Sequence, residues 1–292
     1  MTLLAVIMAL IIEKLAPSLL RFRRYEWITH FQAWVSNTTK SIEKWNDTYN
    51  LAVIILVPVL LVALVHYELF RLGALLGFLF GVVVLVYTLG PKGIFLFVQQ
   101  AEELNQHQDS SSLRAIATEL INDELPEAES EICERVKKEL LIRNNVAITA
   151  IFFWFAVLGP MGAILYRISH ILYNSRKGEN SADFDQAAEI LFAILNWIPT
   201  HLTALSYAIT GSFVDALHYW QTHRIENKIQ SHLSCAAQEN LLVMIGLGSV
   251  RLAEESEGNS MPGVIAVIAL AKRSVILWLT VLAILTLAGW TG

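Results

Sequence analysis

The sequence predicts an all-α fold of the polytopic membrane type, with four to six membrane helices and further soluble helical segments. Hydrophobic residues make up 55% of the 292-residue chain and charged residues only 16%, and the mean hydropathy is +0.51, which lies outside the usual range of soluble proteins. The apolar residues also form blocks of bilayer length rather than the dispersed pattern of a globular core. The lipid bilayer is therefore the expected partner. The net charge of −5 provides no basic field, so nucleic acid is not an expected partner.

Residues 1–49 form the first predicted segment, an apolar helix followed by a basic interfacial helix. The apolar run from Met1 to Ile12 is short for a hydrocarbon core about 30 Å thick, so spanning stays open. It lacks a basic leader and a small-residue cleavage site, so we expect it to stay attached. Arginines and aromatic residues alternate between Lys14 and Trp45, which is typical of a helix lying in the headgroup region. An amphipathic helix packed on its own protein fits this pattern equally well.

Residues 50–98 are predicted to form a transmembrane hairpin, and residues 99–144 a soluble helical insert. The two apolar runs of the hairpin are Leu51–Tyr67 and Leu72–Leu89, and their short loop should face outward because it has a single positive charge. In the insert, Asp109–Ser112 supplies N-cap residues for one helix, and Pro126 with the following glutamates suits the first turn of a second. A helical hairpin is the simplest fold for the insert.

Residues 145–214 should contain a kinked transmembrane helix and a long helix carrying an Asn-Trp-Ile-Pro motif. Gly159-Pro160 interrupts the first, and proline removes a backbone donor there. The second has no charged residue from Ile190 to Val214, so it either packs inside the bundle or enters the membrane and turns back. Residues 215–270 are predicted to be soluble and helical. The final transmembrane helix occupies residues 271–292, with the basic pair Lys272-Arg273 at its cytoplasmic end.

The common catalytic and metal-binding motifs are missing from the sequence. Gly246-Leu247-Gly248 lacks the lysine and further glycine of a phosphate-binding loop. The eight histidines have no HExxH-type spacing, and the two cysteines match neither a disulfide framework nor a CxxC site. No metal site or catalytic residue is therefore assigned, and any cofactor stays unidentified.

Polar residues at membrane depth are the candidate ligand-binding residues, because polar groups in hydrocarbon are costly and usually face a cavity or one another. In a pocket for a small molecule, Arg167 would hold an anionic group. Alternatively, Arg167 extends to the lipid headgroups and His201 bonds a backbone carbonyl, so that both only hold helices together. The candidates are Tyr166, Arg167, His170, Asn196, Trp197, Pro199 and His201.

Two motifs carry a resemblance to a known family. Gly-Pro-Met-Gly-Ala-Ile-Leu-Tyr-Arg at 159–167 and Asn-Trp-Ile-Pro-Thr-His-Leu-Thr-Ala at 196–204 resemble the AmpE family, within the wider CobD/CbiB superfamily of membrane proteins. The resemblance runs over most of the chain. It implies relatives among the synthases that join an aminopropanol phosphate to a corrinoid acid during cobalamin assembly.

Departures from the synthases favour the AmpE branch. The synthases carry an acidic, Asn-rich stretch where this chain has Leu141–Asn145, and an arginine where it has His201. The resemblance then implies a non-enzymatic accessory or sensory protein of the bacterial inner membrane, crossing it several times and linked to β-lactamase regulation, antibiotic response and cell-wall stress signalling. It would bind a small ligand or a membrane protein partner. Two alternatives stay open: a membrane-embedded ligase or transferase with altered substrate, and a structural partner of another membrane protein.

Overall fold

The structure is a computed structural model that describes residues 2–15, 23–39, 47–89, 110–121, 125–175, 181–223, 233–250 and 261–289. Within these ranges the regular elements are all helices, and the all-α fold class is confirmed. The helices are α1 (Thr2–Leu15), α2 (Glu26–Thr39), α3 (Asp47–Leu72), α4 (Ala74–Thr88), α5 (Ser110–Leu120), α6 (Glu129–Asn144), a π-helical turn (Asn145–Thr149), α7 (Ala150–Leu158), α8 (Pro160–Asn174), α9 (Ala182–Thr210), α10 (Phe213–His223), α11 (Cys235–Ser249) and α12 (Met261–Leu287).

Four helical stretches are long and apolar enough to cross a membrane. They are Thr48–Leu72, Glu129–Leu158, Ala182–Thr210 and Pro262–Leu287, which agrees with a helical membrane protein. The second predicted run, Leu72–Leu89, contains α4, which is a shorter apolar helix and is not among the four. Helix α4 has 15 residues, about 22 Å at 1.5 Å per residue, and is shorter than a hydrocarbon core of about 30 Å.

The chain divides into two compact units. The first contains residues 1–91, 150–196 and 282–292. In it, α3 packs against α2, α4 and α8, and α1 packs against α4. Its apolar core includes Ile28, Ile54, Ile168 and Leu172. Glu13 and Arg23 form a buried ion pair here, with an N–O distance of 3.4 Å and side chains only 3% and 2% exposed.

The second unit contains residues 92–149 and 197–281. Helices α5 and α6 pack together, as the predicted helical hairpin requires, and α6 also packs against α11. The core of this unit draws Leu113 from α5, Val136 from α6, Tyr207 from α9, Leu242 from α11 and Val267 from α12. Residues 99–109 of the predicted insert lie outside the described residues.

Several predicted boundaries were wrong. Helix α6 begins at Glu129 with Ala128 as its N-cap, so Pro126 is not in its first turn. Helix α12 begins at Met261, ten residues before the predicted final segment, so the basic pair Lys272-Arg273 lies within the helix rather than at its start. Helix continuity explains the early start of α12, because backbone hydrogen bonding continues through charged residues and does not stop where the solvent changes.

The two proline motifs behave differently. Gly159 adopts φ 66° and ψ −150° between α7 and α8, and Pro160 is the first residue of α8. The chain therefore breaks at Gly159, because a left-handed φ favours glycine. Helix α9, by contrast, continues through Pro199, so the alternative in which this segment enters the membrane and turns back is wrong.

Candidate functional site

The first buried polar contact joins α8 to α9. The Tyr166 hydroxyl donates to Asn196 Oδ1 at 2.8 Å, and both residues are buried. Phe192, one turn before Asn196, lies beside the tyrosine with the ring centroids 5.7 Å apart. Since a buried amide oxygen without a donor is costly, this bond fixes the facing positions of the two helices.

Pro199 explains a second contact on the same helix. Proline has no N–H, so the carbonyl of Leu195, four residues earlier, loses its helical donor. Trp154 Nε1 from α7 donates to this carbonyl at 3.0 Å. The indole therefore replaces the backbone donor that Pro199 removes, and α9 passes the proline with this carbonyl satisfied.

Arg167 is buried rather than extended to the headgroups, so the alternative in which it reaches lipid is wrong. Its side chain is only 2% exposed, and Nε donates to the Thr88 carbonyl at 2.6 Å. This carbonyl belongs to the last turn of α4, where the helix dipole favours a cation. Among the described residues, no hydrogen-bond partner reaches Arg167 Nη2.

Tyr25 completes the surroundings of Arg167. The guanidinium carbon lies 5.8 Å from the centroid of the Tyr25 ring, within cation–π range. The Tyr25 hydroxyl donates to the Tyr87 carbonyl at 2.7 Å and to the Leu89 carbonyl at 3.3 Å. Burial raises the pKa of the Tyr25 phenol, while the positive charge of Arg167 acts in the opposite direction. Two side chains distant in sequence thus satisfy consecutive carbonyls at the end of α4.

Of the remaining predicted residues, His170 packs its ring against Phe192 of α9, with the centroids 5.3 Å apart, whereas Trp197 and His201 contact each other within α9. His170 Nε2 accepts from Asn174 Nδ2 at 2.9 Å, within the same helix. His201 is exposed, and its Nδ1 donates to the Trp197 carbonyl at 2.7 Å. Trp197 is itself 40% exposed. The structure therefore brings Tyr166 and Asn196 together, whereas Arg167, His170 and His201 each bond to a different group.

Sequence reasoning missed a larger group of buried polar residues in the second unit. Asn144 Nδ2 donates to the Tyr207 hydroxyl at 3.0 Å and to Ser274 Oγ at 3.3 Å. Thr203 Oγ1 donates to Asn145 Oδ1 at 2.9 Å. We call this the amide–hydroxyl network; its members are Asn144, Asn145, Thr200, Thr203, Ser206, Tyr207, Gln238 and Ser274.

The amide–hydroxyl network is uncharged and lies beside the π-helical turn. Such turns occur often at functional sites. A sequence signal was available, since Thr200, Thr203 and Tyr207 recur at helical spacing in an uncharged stretch and so share one face. Within the described ranges, no group of three or more His, Cys, Asp or Glu side chains is close enough to hold a metal ion.

Apolar helices of spanning length that carry buried hydrogen-bonded polar groups are typical of a helical membrane protein. The chain belongs to the CobD/Cbib family, because the family model described as CobD/Cbib protein matches residues 3–256.

Two curated relatives carry the name cobalamin biosynthesis protein CobD. The one from Stutzerimonas stutzeri (strain A1501) is 29% identical over 151 residues, which cover 50% of each chain. The one from Chromobacterium violaceum is 33% identical over 96 residues, 32% of this chain and 31% of the relative. The chain thus spans about half the length of the first relative and about a third of the second. No solved structure matches the chain.

These findings correct the function expected from the sequence. The resemblance to the CobD/CbiB superfamily is confirmed. The expected AmpE-type role in β-lactamase regulation is wrong, because the family model and both relatives point to cobalamin biosynthesis proteins instead.

Proposed function

We propose that the chain is a membrane-embedded ligase or transferase related to the cobinamide-phosphate synthases, acting on an altered substrate in the bacterial inner membrane, which it crosses several times. Membership of the CobD/Cbib family supports this class of reaction. Because the matches cover only half of a relative or less, the reaction and the substrate are both part of the proposal.

The buried guanidinium of Arg167 is the observation that carries the proposal. A buried charge is costly unless it is paired. Among the described residues, no carboxylate forms an ion pair with Arg167, whose Nε binds the Thr88 carbonyl and whose Nη2 has no hydrogen-bond partner. Glu13 is paired with Arg23. This surplus of positive charge favours an anionic ligand, and the planar guanidinium suits a phosphate or a carboxylate.

The amide–hydroxyl network supports the altered substrate. By the resemblance, Leu141–Asn145 stands where the synthases carry carboxylates, and here Asn144 and Asn145 enter a network of uncharged groups. Amide and hydroxyl groups hydrogen-bond to neutral polar groups and, unlike carboxylates, supply no negative charge to balance a metal ion or an ammonium group. The reaction proposed is amide formation, in which an amine nitrogen bonds to a carboxyl carbon. A nucleoside triphosphate transfers its terminal phosphoryl group to the carboxylate and leaves as the nucleoside diphosphate. The amine nitrogen then displaces phosphate, which carries away one carboxyl oxygen, and the amine loses a proton.

Binding of ATP with magnesium to the purified full-length protein in detergent tests this function. We expect binding by the natural sequence and a loss of at least tenfold in affinity for Arg167→Ala, because one charge-assisted contact is removed. Arg167→Lys keeps the charge and the contact to the end of α4, so it should fold and bind with intermediate affinity.

Arg71→Ala is the matched control, since Arg71 is exposed and paired with Glu68 at 3.1 Å. It should leave ATP affinity unchanged. If the natural sequence binds neither ATP with magnesium nor inorganic phosphate, the ligase is refuted.

A further inference from the structure

The charged segments of two helices end at the same level in the second unit. Arg143 is the last charged residue before the apolar stretch that begins in the π-helical turn, and Arg273 is the last charged residue of α12. The next residues, Asn144 and Ser274, are joined by a hydrogen bond of 3.3 Å. The charged part of α6 therefore ends at the level of Lys272-Arg273, which are the only charged residues of α12.

The side of this level that contains α5 and α6 is suited to water. Helix α6 carries exposed ion pairs, Glu131 with Arg135 at 3.2 Å and Glu134 with Lys138. The first half of α12 packs into the same core through Val264 and Val267. Since exposed ion pairs are not stable in hydrocarbon, packing against α5 and α6 favours a position outside the membrane for this half of α12.

Arg273 is the exposed cation at this level. It lies on the outer face of α12 together with Ala269, Ile276 and Thr280. Its Nε donates to the Ala269 carbonyl at 3.3 Å, so the side chain turns toward the first half of the helix. Among the described residues, no carboxylate pairs with it within 4.0 Å. A charge on a lipid-facing stripe is costly in the bilayer centre and favourable beside a phosphate.

We propose that the level of Asn144 and Ser274 is the surface of the bilayer, and that Arg273 binds the phosphate of an anionic phospholipid in the cytoplasmic leaflet. The cytoplasmic side follows from the basic residues of this layer, among them Arg135, Lys138, Arg143 and Lys272. The amide–hydroxyl network then lies at headgroup depth, where a water-soluble molecule can approach from the cytoplasm.

Cysteine labelling tests the position of the surface. Ala269→Cys and Thr280→Cys place thiols on the exposed face of α12, about 16 Å apart along the axis. The natural Cys133 and Cys235 are buried, so the unmodified chain provides the background. In inverted membrane vesicles, a membrane-impermeant maleimide should label Ala269→Cys and spare Thr280→Cys. Labelling of Thr280→Cys, or protection of Ala269→Cys, overturns the proposed surface.

Lipid titration tests the binding partner. The purified full chain in neutral detergent is titrated with phosphatidylglycerol or phosphatidylcholine, and bound lipid is measured by native mass spectrometry. Arg273→Ala should weaken phosphatidylglycerol binding about fivefold, the contribution of one basic residue near an anionic surface. Arg273→Lys should retain most of the affinity. Phosphatidylcholine should bind more weakly than phosphatidylglycerol to the natural sequence.

Arg135→Ala is the matched control, because it removes the same charge from an exposed arginine that already has a carboxylate partner. It should bind phosphatidylglycerol like the natural sequence. Equal affinity of Arg273→Ala and the natural sequence, or an equal loss for Arg135→Ala, overturns the lipid site.

Discussion

The contact between Trp154 and Leu195 predicts that Trp154 and Pro199 are energetically coupled. Trp154→Phe removes the indole donor and leaves the Leu195 carbonyl without a hydrogen bond, since Pro199 cannot supply one. An unsatisfied buried acceptor costs about 1–3 kcal/mol. In Pro199→Ala, residue 199 regains its N–H and can donate to this carbonyl within α9. The same Trp154→Phe change should then cost only the lost packing of the indole.

The difference between these two costs is the coupling energy. We expect about 1–2 kcal/mol, near the upper end of the values measured for membrane proteins, which average about 0.6 and reach about 1.7 kcal/mol. The loss of indole packing occurs both in the natural sequence and in Pro199→Ala, so it cancels when the two costs are subtracted. The natural protein, the two single variants and the double variant are compared by reversible unfolding with SDS in mixed micelles, followed by circular dichroism. A coupling energy within about 0.5 kcal/mol of zero would show that the indole does not replace the missing backbone donor.

Three further substitutions test other contacts by the same unfolding measurement. Gly162→Ala would place a Cβ against the Trp154 carbonyl oxygen and Leu158 Cβ, so we expect the free energy of unfolding to fall by about 1–3 kcal/mol. Gly73→Ala, where a Cβ would have nothing within 4 Å, should change it little. Equal losses for the two variants would contradict the close approach at Gly162. Tyr166→Phe should cost about 1–3 kcal/mol because it removes the buried hydrogen bond to Asn196 Oδ1. Tyr67→Phe, at an exposed position, should be neutral, and an equally neutral result for Tyr166→Phe would contradict the importance of this bond. Glu13→Ala should cost about 3–5 kcal/mol because it removes the buried carboxylate that pairs with Arg23. Glu68→Ala breaks an exposed pair and should cost less than about 1 kcal/mol. Similar losses for both would refute the difference in burial.

The fold class could be predicted from the sequence because hydropathy reports directly on transfer to hydrocarbon. The helix ends could not. The charged residues of α6 and α12 marked a change of solvent, but both helices continue through it because backbone hydrogen bonding does not depend on the side-chain environment. Hydropathy therefore located the apolar stretches and misplaced the helices that contain them.

The candidate site was predictable only in part, since local spacing cannot reveal distant partners. Asn196 and Arg167 were selected because polar groups at membrane depth need partners. The partners themselves are distant in sequence: Arg167 bonds the Thr88 carbonyl, and Trp154 bonds that of Leu195. The amide–hydroxyl network was missed because threonine, serine and tyrosine hardly alter the hydropathy of α9, although their spacing places them on one face.

The ion pair between Glu13 and Arg23 has a consequence for biosynthesis. Helix α1 is apolar but carries a carboxylate that ends up buried, and a lone carboxylate opposes transfer of a nascent segment into lipid. Arg23 leaves the ribosome only a few residues later and neutralises that carboxylate. The first helix therefore enters its place in the protein together with the segment that follows, rather than as an independent anchor inserted ahead of it.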